Sequence, residues 1–135
     1  MLPFGTHASF DHATFRGLAD FDKARFDGSV SFDHSTFHHE ARWHGASLAG
    51  PITYAHATFH GPVWFESVWF GDASSFDYVT CSDTATFRGS RFDGPASFVS
   101  VTFHGLADFQ DVVAVEGVHL PQIHFLPESE AQPPP

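Results

Sequence analysis

The sequence predicts an all-β solenoid built from coils of twenty-two residues, and three observations carry that prediction. Large apolar side chains fall at Phe4, Phe10, Phe15, Phe21, Phe26, Phe32, Phe37 and Trp43 and continue through Leu48, Tyr54, Phe59, Phe65 and Phe70 to Phe109, with gaps alternating strictly between five and six. Two positions before each of them from Phe10 on stands a small or β-branched residue, as in Ala8, Ala13, Ala19, Ala24 and Val30. The residue just before every fourth centre reads Thr14, Thr36, Thr58, Thr80 and Thr102, whereas half a period away it reads Arg25, Ser47, Trp69, Arg91 and Val113. Columns that agree at twenty-two and disagree at eleven place equivalent environments twenty-two residues apart, so one coil holds four apolar centres. Self-similarity at a fixed period decides the fold before any local propensity does.

A helical reading fails on geometry. Steps of five and six residues turn an α-helix by roughly 140° and 240°, so the Phe residues would circle the axis and form no stripe. Seventeen Phe and eleven Gly suit short strands and turns better. The consistent arrangement has four short faces per coil. Each face points one large and one small side chain inward and stacks on the same face of the next coil at ~4.8 Å.

The unit Ala57-Thr58-Phe59-His60-Gly61 closely resembles the pentapeptide-repeat family, whose five-residue unit is a small residue, a polar residue, Leu or Phe, a polar residue and often Gly. The resemblance runs from Phe4 to about Phe125 and implies a right-handed quadrilateral β-helix with the Leu/Phe and small positions inside. One departure is regular: alternate units hold six residues, the extra one following the Gly position at Leu18, Ser29, Glu40, Pro51, Pro62, Ala73, Thr84, Pro95 and Leu106. Three of these are Pro after Gly, which is turn chemistry. The extra residue is therefore expected in a bulged corner, giving coils larger than the family's usual twenty.

Taken in order, Met1-Leu2-Pro3 enters at Phe4 with no polar cap, and an uncapped solenoid end exposes apolar side chains and strand edges. The expectation is either a fragment of a longer protein or a homodimer formed end to end through Phe4. The coils run 10–31, 32–53, 54–75, 76–97 and 98–119, and the cadence survives in Ala114, Leu120, Ile123 and Phe125. The predicted solenoid domain is thus 4–125, and 126–135, without core residues after Leu126, is a disordered Pro-rich tail.

Composition bounds the function. A formal charge of −10 argues against nucleic-acid binding through a basic patch and against anionic membranes. No apolar run approaches a membrane span and no leader opens the chain, so a cytoplasmic protein is expected. The single Cys81 stands where neighbouring coils carry Phe37 and Phe59, and reads as a buried thiol filling core space. Asp11, Asp33 and Asp77 share a column, but no column supplies an acid, a base and a nucleophile together, and regular columns lack the irregular loops on which active sites sit. No enzyme and no cofactor is expected.

Three surface features remain. His12, His34 and His56 lie twenty-two apart, and His38, His60 and His104 form a second column. Stacked imidazoles could share a transition metal at N–metal distances of about 2.0–2.1 Å, or could simply be solvated turn positions. No His-Glu-x-x-His or Cys-His cluster accompanies them. Free imidazoles titrate near 6.5, so these columns are the candidate pH-sensitive groups: protonating all eleven His takes the formal charge from −10 to about +1 (−10 + 11). Trp64 and Trp69 occupy outward positions on adjoining faces of one coil, where neighbouring coils carry Arg42 and Arg91. Exposed Trp beside Arg is the composition of a protein-binding hot spot. The expected function is a non-catalytic module for protein–protein interaction or scaffolding with an unidentified protein partner. The family resemblance implies a second reading, an acidic rod imitating DNA to bacterial type II topoisomerases. Against it, the acids are interleaved with Arg25, Arg42, Arg88 and Arg91, and five and a half coils span only ~26 Å. The Thr column suggests a third, an ice-binding face.

Overall fold

The structure, a computed structural model, describes residues 7–115 and the strands at Val118–His119 and His124–Phe125. Phe4 and residues 126–135 lie outside the described residues, so the end-to-end contact and the tail are not addressed by it.

The described chain is all β, twenty-two strands of two residues each, wound so that every strand pairs in parallel with its equivalent twenty-two residues away. Four flat stacks result. The first face stacks Ala8–Ser9, Val30–Ser31, Ile52–Thr53, Ser74–Ser75, Ala96–Ser97 and Val118–His119; the second stacks Thr14–Phe15, Thr36–Phe37, Thr58–Phe59, Thr80–Cys81, Thr102–Phe103 and His124–Phe125. The third holds Ala19–Asp20, Ala41–Arg42, Val63–Trp64, Ala85–Thr86 and Ala107–Asp108, and the fourth Arg25–Phe26, Ser47–Leu48, Trp69–Phe70, Arg91–Phe92 and Val113–Ala114. Each face is an in-out-in triplet, which is why a small residue sits two before each large one. Val63 and Phe65 are buried while Trp64 between them reaches the surface.

The two unit lengths make two kinds of corner. Five-residue units turn tightly, with Ala57 N–H donating to the Tyr54 carbonyl at 2.9 Å and Ala46 N–H to that of Trp43 at 3.0 Å. The third residue of this turn takes a left-handed φ, near +60° at His12, His34 and His56 and +69° at Gly45. Six-residue units make the wider corners, where Gly brings successive coils close. A Cβ on Gly94 would lie 2.5 Å from the Asp72 carbonyl carbon one coil back. Backbone cannot step aside as a side-chain tip can, so Gly94→Ala should destabilise the protein by about 1–2 kcal/mol, read as a lowered melting temperature.

Two aromatic ladders run the length of the interior. Phe10, Phe32, Tyr54, Phe76 and Phe98 stack at centroid spacings of 4.8, 5.0, 5.1 and 4.8 Å. Phe21, Trp43, Phe65, Phe87 and Phe109 stack at 5.0, 5.0, 4.9 and 5.0 Å. The ladders meet edge to face, as at Trp43 and Tyr54 (5.4 Å, 89°) and Phe76 and Phe87 (5.2 Å, 87°). This geometry presents the positive ring edge to a negative ring face. Ladders on the second and fourth faces are broken, by Cys81 between Phe59 and Phe103 and by Leu48 between Phe26 and Phe70.

Candidate partner-binding surface

The parallel register brings each outward-facing Trp beside an arginine. Trp64 pairs with Arg42 on the third face and Trp69 with Arg91 on the fourth; the two faces are joined by the tight corner at Glu66 and Ser67. Both indoles are held. Trp64 Nε1 donates to Glu40 Oε2 at 2.6 Å, and Trp69 Nε1 donates to Asp93 Oδ2 at 2.6 Å. The other oxygen of Asp93 accepts from Arg91 Nε at 2.8 Å. The Trp69 indole and then the Arg91 guanidinium hold the Asp93 carboxyl below the usual carboxylate range. Arg42 is fixed by Asp22, with Nε–H donating at 3.0 Å and a terminal nitrogen 2.8 Å from the same oxygen. The Trp69 ring lies over Gly71, where a Cβ would come within 2.7 Å of Cζ2. Trp69 remains 38% exposed and Trp64 half-buried. Neither Glu40 nor Asp93 was anticipated as part of this surface, because each lies twenty-four residues from its Trp, on a diagonal that a twenty-two-residue column does not reveal.

The first His column forms a continuous stack at the left-handed corner residues. His12 and His34 rings are 4.9 Å apart at 4°, His34 and His56 4.8 Å apart at 1°. Tyr78 extends the stack at 4.8 Å, a member legible in the twenty-two-residue spacing from His56. In the second column His38 and His60 stack at 5.3 Å, while Ser82 occupies the intervening position and separates His60 from His104. Parallel rings keep their nitrogen lone pairs in parallel planes, whereas a shared metal needs them to converge. Among the described residues no three His, Cys, Asp or Glu side chains are grouped to hold a metal ion.

The Asp column ties coils together. Asp33 Oδ1 accepts from the Thr53 hydroxyl at 2.7 Å and from Ala55 N–H at 3.0 Å; Asp77 Oδ1 accepts from the Ser97 hydroxyl at 2.5 Å and from Val99 N–H at 2.9 Å. Asp11 receives the Ser31 hydroxyl and Asp33 N–H in the same way, and the Ser31 bond foremost draws the Asp11 carboxyl below its ordinary value. Cys81 is buried, and burial pushes its thiol up to about 12. Because the thiolate is the reactive form, Cys81 should not react with a disulfide reagent at pH 8 in the folded protein and should react fully in denaturant. Labelling in native buffer would contradict its buried placement.

These features define a four-sided parallel β-solenoid with a closed aromatic core and a columnar surface. The chain belongs to the pentapeptide-repeat family: a family model described as Pentapeptide repeats (9 copies) matches residues 4–47, 44–90 and 76–121. That repeat module is generally non-catalytic. No curated protein and no solved structure gives a significant match to the chain. Among the described residues no helix is long and apolar enough to cross a membrane.

Proposed function

We propose that this solenoid is a non-catalytic interaction or scaffolding module that binds a protein partner through the ridge carrying Trp64, Trp69, Arg42 and Arg91. The observation behind this reading is that both indoles are pinned by carboxylates before any partner arrives. Binding then orders little that is not already ordered, and the entropy normally lost by large interface side chains is largely avoided. Trp and Arg are also the residue types that dominate binding energy at interfaces. A DNA-imitating role is less well supported, because acids such a rod would present are engaged locally: Asp22, Asp93 and Asp108 with Arg42, Arg91 and Arg88, and Glu40 with Trp64.

The test compares paired baits, the unaltered chain and a Trp64→Ala/Trp69→Ala variant of matched melting temperature. A protein recovered by the first should bind the second at least about tenfold more weakly. Equal recovery by both baits would sink the proposal.

A further inference from the structure

The Asp column of the first corner is interrupted at Ala55 and again at Val99, and the break at Ala55 leaves two donors facing the same point. In three successive-coil contacts a carboxylate of one coil accepts both a hydroxyl and a backbone N–H from the next: Asp11 from Ser31 and Asp33, Asp33 from Thr53 and Ala55, Asp77 from Ser97 and Val99. Position 55, between Asp33 and Asp77 in this column, is Ala. The parallel register nevertheless continues unbroken, with Ser75 beside Thr53 and Ser97. The Ser75 hydroxyl and the Asp77 N–H therefore stand where, one coil earlier and one coil later, the equivalent pair donates to a carboxylate oxygen. Asp77 N–H reaches only Ser75 Oγ, at 3.4 Å, a distance at the limit of a hydrogen bond. Ser75 Oγ accepts in that contact, and among the described residues its hydroxyl donates to no acceptor. Ser75 and Asp77 also line a groove of about 440 Å³ on the first face, rimmed by Pro51 and Pro95, so the point is approachable from outside.

We propose that the step at Ala55 is a binding site for a carboxylate group supplied from outside the chain, either a small carboxylic acid or an acidic side chain of another protein. The three internal contacts define what the site accepts, one carboxylate oxygen taking a hydroxyl proton and an amide proton at once. Charge-assisted hydrogen bonds of this kind are stronger than neutral ones. Asp33 and Asp77 flank the site and repel an anion. Each is already satisfied by its own pair of donors, and Asp11 and Asp33 show that neighbouring carboxylates are tolerated in this column, so the binding is weak but specific. The site lies on the first face, away from the Trp ridge, and does not depend on the interaction proposed above.

The experiment is an amide chemical-shift titration of the intact chain with sodium acetate, against sodium chloride at equal ionic strength. The Asp77 amide should shift saturably with acetate, while the Val99 amide, already bonded to Asp77, should not. Ser75→Ala, which leaves the Asp77 amide in place, should weaken the response about tenfold. Ala55→Asp should abolish it by placing a tethered carboxylate in the site, and should raise the melting temperature. Repeating the titration with an aspartate blocked at both termini separates the sources: a matching response assigns the site to acidic side chains, and a response to acetate alone assigns it to small acids. An Asp77 amide that moves no more with acetate than with chloride, or that moves equally in Ser75→Ala, overturns the proposal.

Discussion

Phe59→Asp should leave no cooperatively folded protein at 25 °C, while Thr58→Val one residue earlier should change stability by less than about 0.5 kcal/mol. Phe59 is 1% exposed, stacks on Phe37 at 4.7 Å and packs its edge against Trp43 and Phe65. Truncating a buried Phe alone costs about 3–5 kcal/mol. An unpaired carboxylate among aromatic rings adds a desolvation penalty that the site cannot offset, since no Lys, Arg or His is buried among the described residues. Together these approach the entire stability of an ordinary domain, about 5–15 kcal/mol. Position aggravates the effect. Stability in a solenoid is a sum over neighbouring coils, and Phe59 lies in the middle of the stack, so its loss divides the rod into two pieces too short to persist. Phe109→Asp, near the C-terminal end of the stack, should instead fray one end. Thr58 points outward in the Thr column, and Val keeps its β-branched shape. Thermal melting followed by circular dichroism ranks the variants; Thr58→Val more damaging than Phe59→Asp would refute the in-out-in register.

Tyr54→Phe should stabilise the protein by about 1–3 kcal/mol. Tyr54 is fully buried between Phe32 and Phe76, and its hydroxyl has no hydrogen-bond partner among the described residues. Its neighbours in the ladder already show that a phenyl ring fits at this spacing, so removing the oxygen deletes an unsatisfied polar atom without opening a cavity large enough to matter. Alkaline titration gives a second readout. Burial raises the Tyr54 phenol well above its ordinary value and moves the Cys81 thiol from 9.0 to about 12. Both groups stay protonated in the folded chain while the unfolded chain ionises, so stability is complete below pH 9 and declines as pH rises above it. Tyr54→Phe should remove the part of that decline beginning near pH ~10 and leave the Cys81 part. An unchanged melting temperature would mean that the hydroxyl finds a partner, such as a buried water.

The alternation of five and six, the small residue two before each centre and the agreement of columns at twenty-two were enough to fix the coil length, the four faces and which side chains point inward. These features survive reading from sequence because each coil repeats the environment of the last, so a local pattern is also a tertiary one. The corners were legible for a similar reason: Pro after Gly marks the wide ones, and the short units mark the tight ones. What depended on the folded chain was every contact that leaves the column. Glu40 meets Trp64 and Asp93 meets Trp69 because each long indole crosses diagonally to a corner of an adjacent coil, a reach that the bare backbone at Gly71 leaves room for at Trp69. Ser82 separates His60 from His104, while Tyr78 joins the other stack, because ring contact requires adjacent coils and not merely a shared column. Ala55 looks in sequence like one more irregularity among Asp11, Asp33 and Asp77. Only the stacked coils reveal it as the step at which a hydroxyl and an amide proton have lost the carboxylate their equivalents share, because the acceptor and its two donors come from different turns of the chain.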